Sequence, residues 1–184
     1  MKPVSEFSKL DKAFDSAKFS SKLSNIYRRL KTTASDGKLE EMEPYLTAAF
    51  YKSLSDEAAA LAKKGRVLYT ERITVLGVEL RGFEQADGFD FMFADVRVRA
   101  VEYIADIKTH KRIKGDADEQ FSTVTVKLKR ESGRVSPQLS GISAQNCPYC
   151  GAPVNINKTT KCEYCGRILN TDSFDWLIDS VEIQ

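Results

Sequence analysis

Four cysteines constrain this chain more than any other feature, because all of them fall in its last forty residues, as Cys147-Pro148-Tyr149-Cys150 and Cys162-Glu163-Tyr164-Cys165. Two C-x2-C hooks separated by eleven residues let each turn present two thiolates on one side, so that the pair closes a tetrahedron of sulfurs. A glycine follows each second cysteine, Gly151 and Gly166, and frees the backbone to turn sharply with positive φ, while Pro148 stiffens the first hook. The pattern predicts a structural Zn2+ site on Cys147, Cys150, Cys162 and Cys165, with no open coordination position for catalysis. Iron on the same kind of knuckle is the competing metal. A disulfide framework fits poorly, because the rest of the chain has no cysteine and Met1-Lys2-Pro3-Val4-Ser5-Glu6 leads into no apolar leader.

At 184 residues the chain suits one domain with a small appendage, and its 42% hydrophobic and 29% charged residues are those of a globular protein. No apolar run approaches the ~20 residues of a membrane span. A net charge of +2 does not mark a nucleic-acid binder, and a single histidine, His110, excludes multi-histidine metal sites.

Apolar residues at helical spacing, Phe7, Leu10, Phe14, Ala17, then Phe19, Leu23, Ile26 and Leu30, predict a helix over 5–34, with a bend near Ser20-Ser21 where the phase slips. Ser35-Asp36-Gly37 ends it. A short helix follows over 39–45 and a third over 47–63, with the stripe Phe50, Tyr51, Leu54, Ala58 and Leu61 and Gly65 as its cap. The period then becomes two. Residues 67–80 read as a strand with Gly77 at a bulge, 83–88 as a polar turn and 89–107 as a long half-buried strand. Residues 111–119 read as a charged turn, 121–130 as a strand and 174–183 as the last strand. Helices first and antiparallel strands after is the α+β class.

The helix order, Glu43-Pro44-Tyr45-Leu46 with Tyr51 after it, the strand ending Ala100-Val101-Glu102-Tyr103, and the four-cysteine ribbon ahead of Trp176 resemble the family of the mitochondrial import inner-membrane translocase subunit 44, within the nuclear-transport-factor-two-like superfamily. The resemblance covers about residues 10–183 and is similar to the bacterial type with a ribbon. It implies N-terminal helices on a curved antiparallel sheet, a cone with a pocket, formed by residues 1–140 and 172–184 with the zinc ribbon inserted over 141–171. It also implies a non-enzymatic role, the tethering of a protein partner at a membrane surface. Tyr103, Asp106 and Trp176 are then the candidates to line a ligand pocket.

Eight basic residues against three acidic ones over 1–34 offer a basic helix to anionic lipid, although the same apolar stripe is needed for the domain core. An enzymatic pocket of the isomerase or dehydratase kind would have to draw on Asp95, Tyr103, Asp106 or His110. Asp95 shares its strand face with Arg97 and Arg99, however, and His110 sits in a basic turn. Nucleic-acid binding through Lys158, Lys161, Arg167, Tyr149 and Tyr164 of the ribbon is opposed by Asp172, Asp175, Asp179 and Glu182 beside it. Thiolate ligands point to a reducing compartment, most simply the bacterial cytoplasm near the membrane's inner face. Oligomeric state is left open.

Overall fold

The computed structural model describes residues 1–136, 145–146, 150, 152–154, 162–166 and 175–184. Its elements are helices α1 (Val4–Leu10), α2 (Ser16–Ser35) and α3 (Ala48–Lys63) and a 3-10 turn (Leu39–Tyr45) between α2 and α3. The strands are β1 (Arg66–Ala86), β2 (Phe89–Asp106), β3 (Arg112–Gly115), β4 (Gln120–Glu131), β5 (Gln145–Asn146), β6 (Pro153–Val154) and β7 (Leu177–Ile183).

The predicted single N-terminal helix is two helices, and the break falls over 11–15 instead of at Ser20-Ser21, which α2 runs through uninterrupted. Two aspartates make the break. The Asp11 carboxylate accepts from the Ala13 amide at 3.1 Å and the Asp15 carboxylate caps α2 by accepting from the Lys18 amide at 3.0 Å. Short acidic side chains that satisfy nearby N–H groups compete with the helix ladder in this way. Of the apolar stripe, Phe7, Phe14, Phe19, Leu23, Ile26 and Leu30 are buried, together with Tyr27, whereas Leu10 is 58% exposed and Ala17 is exposed as well.

The main sheet is antiparallel, in the order β1-β2-β4-β7, with β3 pairing the last residues of β2. The residues read as a polar turn over 83–88 instead continue β1 to Ala86. The hairpin turns on Asp87-Gly88, both with positive φ (52° and 79°), the geometry a two-residue turn requires. Register shifts interrupt β1 near Thr74, Gly77 and Gly82, so the expected bulge at Gly77 is one of three. At Gly82 an added Cβ would stand 2.5 Å from the Lys2 carbonyl oxygen, and this closeness lets Lys2 and Phe83 exchange two backbone hydrogen bonds.

The inward side chains of β2 and β4 follow the predicted alternation: Met92, Ala94, Val96, Val98, Val124, Val126 and Leu128 are buried. They meet α1, α2 and the 3-10 turn through Phe7, Leu23, Ile26, Met42 and Tyr45. Each fully buried Val, Leu, Ile, Phe or Met among them contributes about 1.5–3 kcal/mol. Helix α3 is held less deeply, with no fully buried residue; Phe50, Tyr51 and Leu54 are packed half-buried against the core.

The last strand closes the sheet. β7 pairs β4 from Val124↔Ile183 to Lys129↔Leu177, and the Thr47 amide at the start of α3 donates to the Ile178 carbonyl at 2.9 Å.

Candidate functional site

The second cysteine hook forms a tight turn. The Gly166 amide donates to the Cys162 carbonyl at 2.8 Å, and Gly166 has φ of 71°, the conformation read from its place after Cys165. The first hook belongs in sequence to the β5–β6 hairpin, whose strands pair Gln145↔Val154 and Asn146↔Pro153. The Sγ atoms of Cys150, Cys162 and Cys165 all lie within 4.8 Å of one another, with Cys150 and Cys162 3.7 Å apart. A tetrahedron with metal–sulfur bonds of ~2.3 Å has edges of about 3.8 Å, so the spacing fits one shared ion. Three soft thiols with no imidazole or carboxylate among them form a group able to hold zinc or iron and ill suited to magnesium or calcium. Cys147 and Gly151 lie outside the described residues.

Downstream of the cysteines, Asp175 and Trp176 enter the interior. Trp176 is 1% exposed and meets the rings of Phe7 and Phe19. The Arg130 guanidinium stands 4.6 Å from the centre of its ring. Arg130 is itself fully buried. Its Nη1 donates to Asp11 Oδ2 at 3.0 Å and to Asp175 Oδ2 at 3.2 Å, and its Nη2 lies 3.8 Å from Asp90 Oδ2. Asp90 also accepts from Gln85 and Ser132, and Asp11 from the amide and hydroxyl of Ser136. Burial pushes the Asp11 carboxyl up, but the hydrogen bonds from Ser136 and Arg130 outweigh it and hold the carboxyl below its ordinary value of 3.8. One guanidinium thus joins the break between α1 and α2, both central strands and the entry to β7. A cleft of about 420 Å³ opens beside it, walled by Thr47, Lys129, Arg134 and Asp175 among others.

Nothing singled out Arg130, Asp90 or Asp11 in the sequence, although a signal was present. The inward positions of β4 are 124, 126 and 128, so 130 continues them; the inward positions of β2 are 92, 94 and 96, so 90 precedes them. Asp90 and Arg130 are also register partners.

Tyr103, Asp106 and Trp176 are not brought together. Trp176 lies beside Arg130, at the Asp90 end of β2, and the other two lie at the far end of that strand. Tyr103 donates to Glu71 at 2.5 Å and carries the Arg112 guanidinium 4.3 Å from its ring centre. Asp106 caps its own turn, accepting from the Lys108 and Thr109 amides and the Thr109 hydroxyl. These bonds, led by the Thr109 amide, lower its pKa. The Asp95 carboxyl is raised by burial but lowered further by Arg81, Gln184 and Thr125, its partner being Arg81 at 2.6 Å rather than Arg97 or Arg99. His110 is exposed, with φ of 56° and its Nδ1 2.9 Å from the Tyr69 hydroxyl. Carboxylates held ionised by such partners are poor general bases at neutral pH.

No helix among the described residues is long and apolar enough to cross a membrane. Residues 2–134 match the family model of the Tim44-like domain. No curated protein matches the chain. Among solved structures it is similar to the intermembrane space region of the chloroplast protein ARC6, at 13% identity over 89% of this chain and 95% of that one, with a TM-score of 0.44.

Proposed function

This chain belongs to the Tim44-like domain family, and on that premise we propose that it is a non-enzymatic module that docks a protein partner at a membrane surface and carries a structural zinc ion. The family match over residues 2–134 carries the reading, because the family it resembles tethers proteins at a membrane and works without catalytic residues. The state of Asp95 and Asp106 supports it: each carboxyl is engaged by neighbours that keep it ionised. Helices packed against one face of an antiparallel sheet support the cone architecture of the nuclear-transport-factor-two type.

In this reading residues 1–140 and 172–184 form the docking body and 141–171 form a ribbon inserted before its closing strand; the pairing of β7 with β4 and the burial of Trp176 favour that division. Cys147 completes the set with Cys150, Cys162 and Cys165, and the zinc braces the path from ribbon to Trp176. The ion supplies folding energy, not chemistry, and thiolate ligands favour a reducing compartment. No ligand pocket is assigned to Tyr103, Asp106 and Trp176, since they lie at opposite ends of β2.

Two measurements test this. Elemental analysis of freshly purified protein should find one zinc per chain; iron or no metal overturns the zinc assignment. In vivo cross-linking followed by affinity capture should enrich a specific protein in the membrane fraction over the supernatant, and capture of nothing above a tag-only control overturns the docking role.

A further inference from the structure

β1 is the outermost strand of the sheet, so one of its margins has no neighbouring strand. Every second residue of such a strand turns its N–H and C=O away from the sheet, and an open margin offers a hydrogen-bonding ladder to another chain. Both ends of this margin are covered from within the molecule. The Thr70 amide donates to the Ser35 hydroxyl at 3.0 Å, and Lys2 exchanges two backbone hydrogen bonds with Phe83. Between them, over 74–81, no described residue caps a backbone group of the margin.

The register shifts near Thr74, Gly77 and Gly82 explain part of this, because bulges keep an open edge from pairing indiscriminately. They do not explain what stands beside the margin. A groove of about 440 Å³ separates it from α2, with Ser20, Ser24 and Asn25 on one wall and Val75, Leu76 and Val78 on the other. Leu76, skipped by the register between Val75 and Gly77, is 47% exposed. Gly77 leaves its face of the strand bare and the Arg97 guanidinium lies across it, where an added Cβ would stand 2.9 Å from Nη2. Arg28 follows Ser24 by one turn of α2, on the same face of the helix. Among the described residues neither guanidinium has a hydrogen bond or an ion pair. Arg81, by contrast, is satisfied by Asp95 at 2.6 Å. Glu79 is the one acidic residue over 74–81, and α2 carries five basic residues and no acidic one.

We infer that the β1 margin over 74–81 receives a short, acidic, extended segment of a protein partner as an added strand; the inference rests on the docking reading above and names the face and the chemistry of the segment. Backbone hydrogen bonds along the margin hold the segment, and its side chains alternate between two faces. On the outer face a carboxylate meets Arg97 beside the exposed Leu76; on the inner face residues enter the groove, between the hydroxyls and amide of α2 and the valines of β1, with Arg28 at its end. The occupant is argued from charge. Guanidinium groups pair carboxylates in a fixed bidentate geometry, and arginine is enriched where proteins meet. Length is argued from register: Gly77–Leu80 is the stretch of the margin between two bulges, so the added strand is short.

Selection of a phage-displayed random dodecapeptide library on the intact protein tests this, followed by fluorescence anisotropy of the enriched peptides. Enriched sequences should alternate carboxylates with apolar or β-branched residues. Arg97→Gln and Arg28→Gln should each weaken their binding by about tenfold, and Leu76→Ser by about fivefold. Lys114→Gln, on β3, should leave it within about twofold. An unchanged melting curve for each variant shows that folding is intact. Hydrogen exchange should slow at alternate amides over 74–81 when peptide binds. No enriched sequence, enrichment without carboxylates, or binding that survives all three substitutions overturns the inference. Slowed exchange over 74–81 that grows with protein concentration in the absence of peptide makes the occupant a second copy and also overturns it. If Leu76→Ser with Arg97→Gln captures the same membrane-fraction protein as wild type, the margin is the wrong face and docking stands. If wild type captures nothing above the tag-only control, the docking role falls and this inference with it.

Discussion

At one end of β2, Asp90 lies inside the sheet beside Arg130, Asp11 and Asp175, sealed under Phe7 and Trp176; at the other, Asp106 turns the chain into a hairpin whose lysines are exposed and, among the described residues, form no close ion pair. Both ends collect charge, but the surroundings give that charge opposite consequences. Buried charges cost several kcal/mol each to desolvate and persist only where partners and hydrogen bonds compensate them, so the Arg130 cluster specifies which segments meet. Exposed charges are screened and contribute little to folding, so they remain available to something outside the protein.

Breaking the buried end should have the largest effect. Arg130→Met strands three carboxylates in an apolar interior and should cost about 3–5 kcal/mol in urea unfolding at neutral pH. A loss under ~1 kcal/mol would mean that the cluster does not organise the fold.

Next in size is removal of the metal. Cys162→Ser, or treatment with a strong chelator, should lower the single cooperative melt by about 5–10 °C, corresponding to the ~2.7 kcal/mol of a ligand present at a hundredfold excess over its Kd. The proposed coupling from ribbon to core through Asp175 and Trp176 fails if the main transition stays at the wild-type temperature while metal is lost.

Acid should act through the same buried end. Because the folded-state pKa of Asp11 is below its ordinary 3.8, the carboxylate contributes stability above that value and loses the contribution as pH falls through the lower folded value. Urea midpoints measured from pH 6 downward should therefore drop most steeply below about pH 4, and the drop should be shallower in Asp11→Asn. An identical acid profile in the variant would remove Asp11 from the account.

The smallest effects belong to the exposed end. Tyr103→Phe, which removes the bond to Glu71, and the triple substitution Lys108→Gln, Lys111→Gln and Lys114→Gln should each stay within about 0.5–1 kcal/mol of wild type in the same urea assay. Destabilisation of several kcal/mol by either would mean that the exposed end is part of the structural frame.

Much of the fold was legible in order of residues alone. Period-two runs located β2 and β4, the stripe through Leu23, Ile26 and Leu30 located α2, and the spacing of the cysteines grouped Cys150, Cys162 and Cys165. These signals are local, since each depends on residues within one element or one turn. The misreadings came where a local pattern was overridden. Residues 5–34 carry helical spacing with a slip of phase near Ser20-Ser21, yet the break comes at Asp11, which leaves the helix to meet Arg130, 119 positions away. Residues 83–88 look like a turn because Glu84 and Gln85 are polar, yet 83–86 complete a strand whose Phe83 is buried, and only Asp87 and Gly88 turn.

The amino-acid sequence by itself determined the class of fold, most of its helices and strands and the grouping of Cys150, Cys162 and Cys165, because periodicity and ligand spacing are properties of neighbours along the chain. Only the tertiary structure decided that Arg130, Asp11, Asp90 and Asp175 share one buried cluster and that Tyr103 and Asp106 lie far from Trp176. It also decided that helix-end and hairpin lysines converge on one tip. Those are contacts between distant segments, and they exist only once the sheet register and the packing of the helices upon it have brought the segments together.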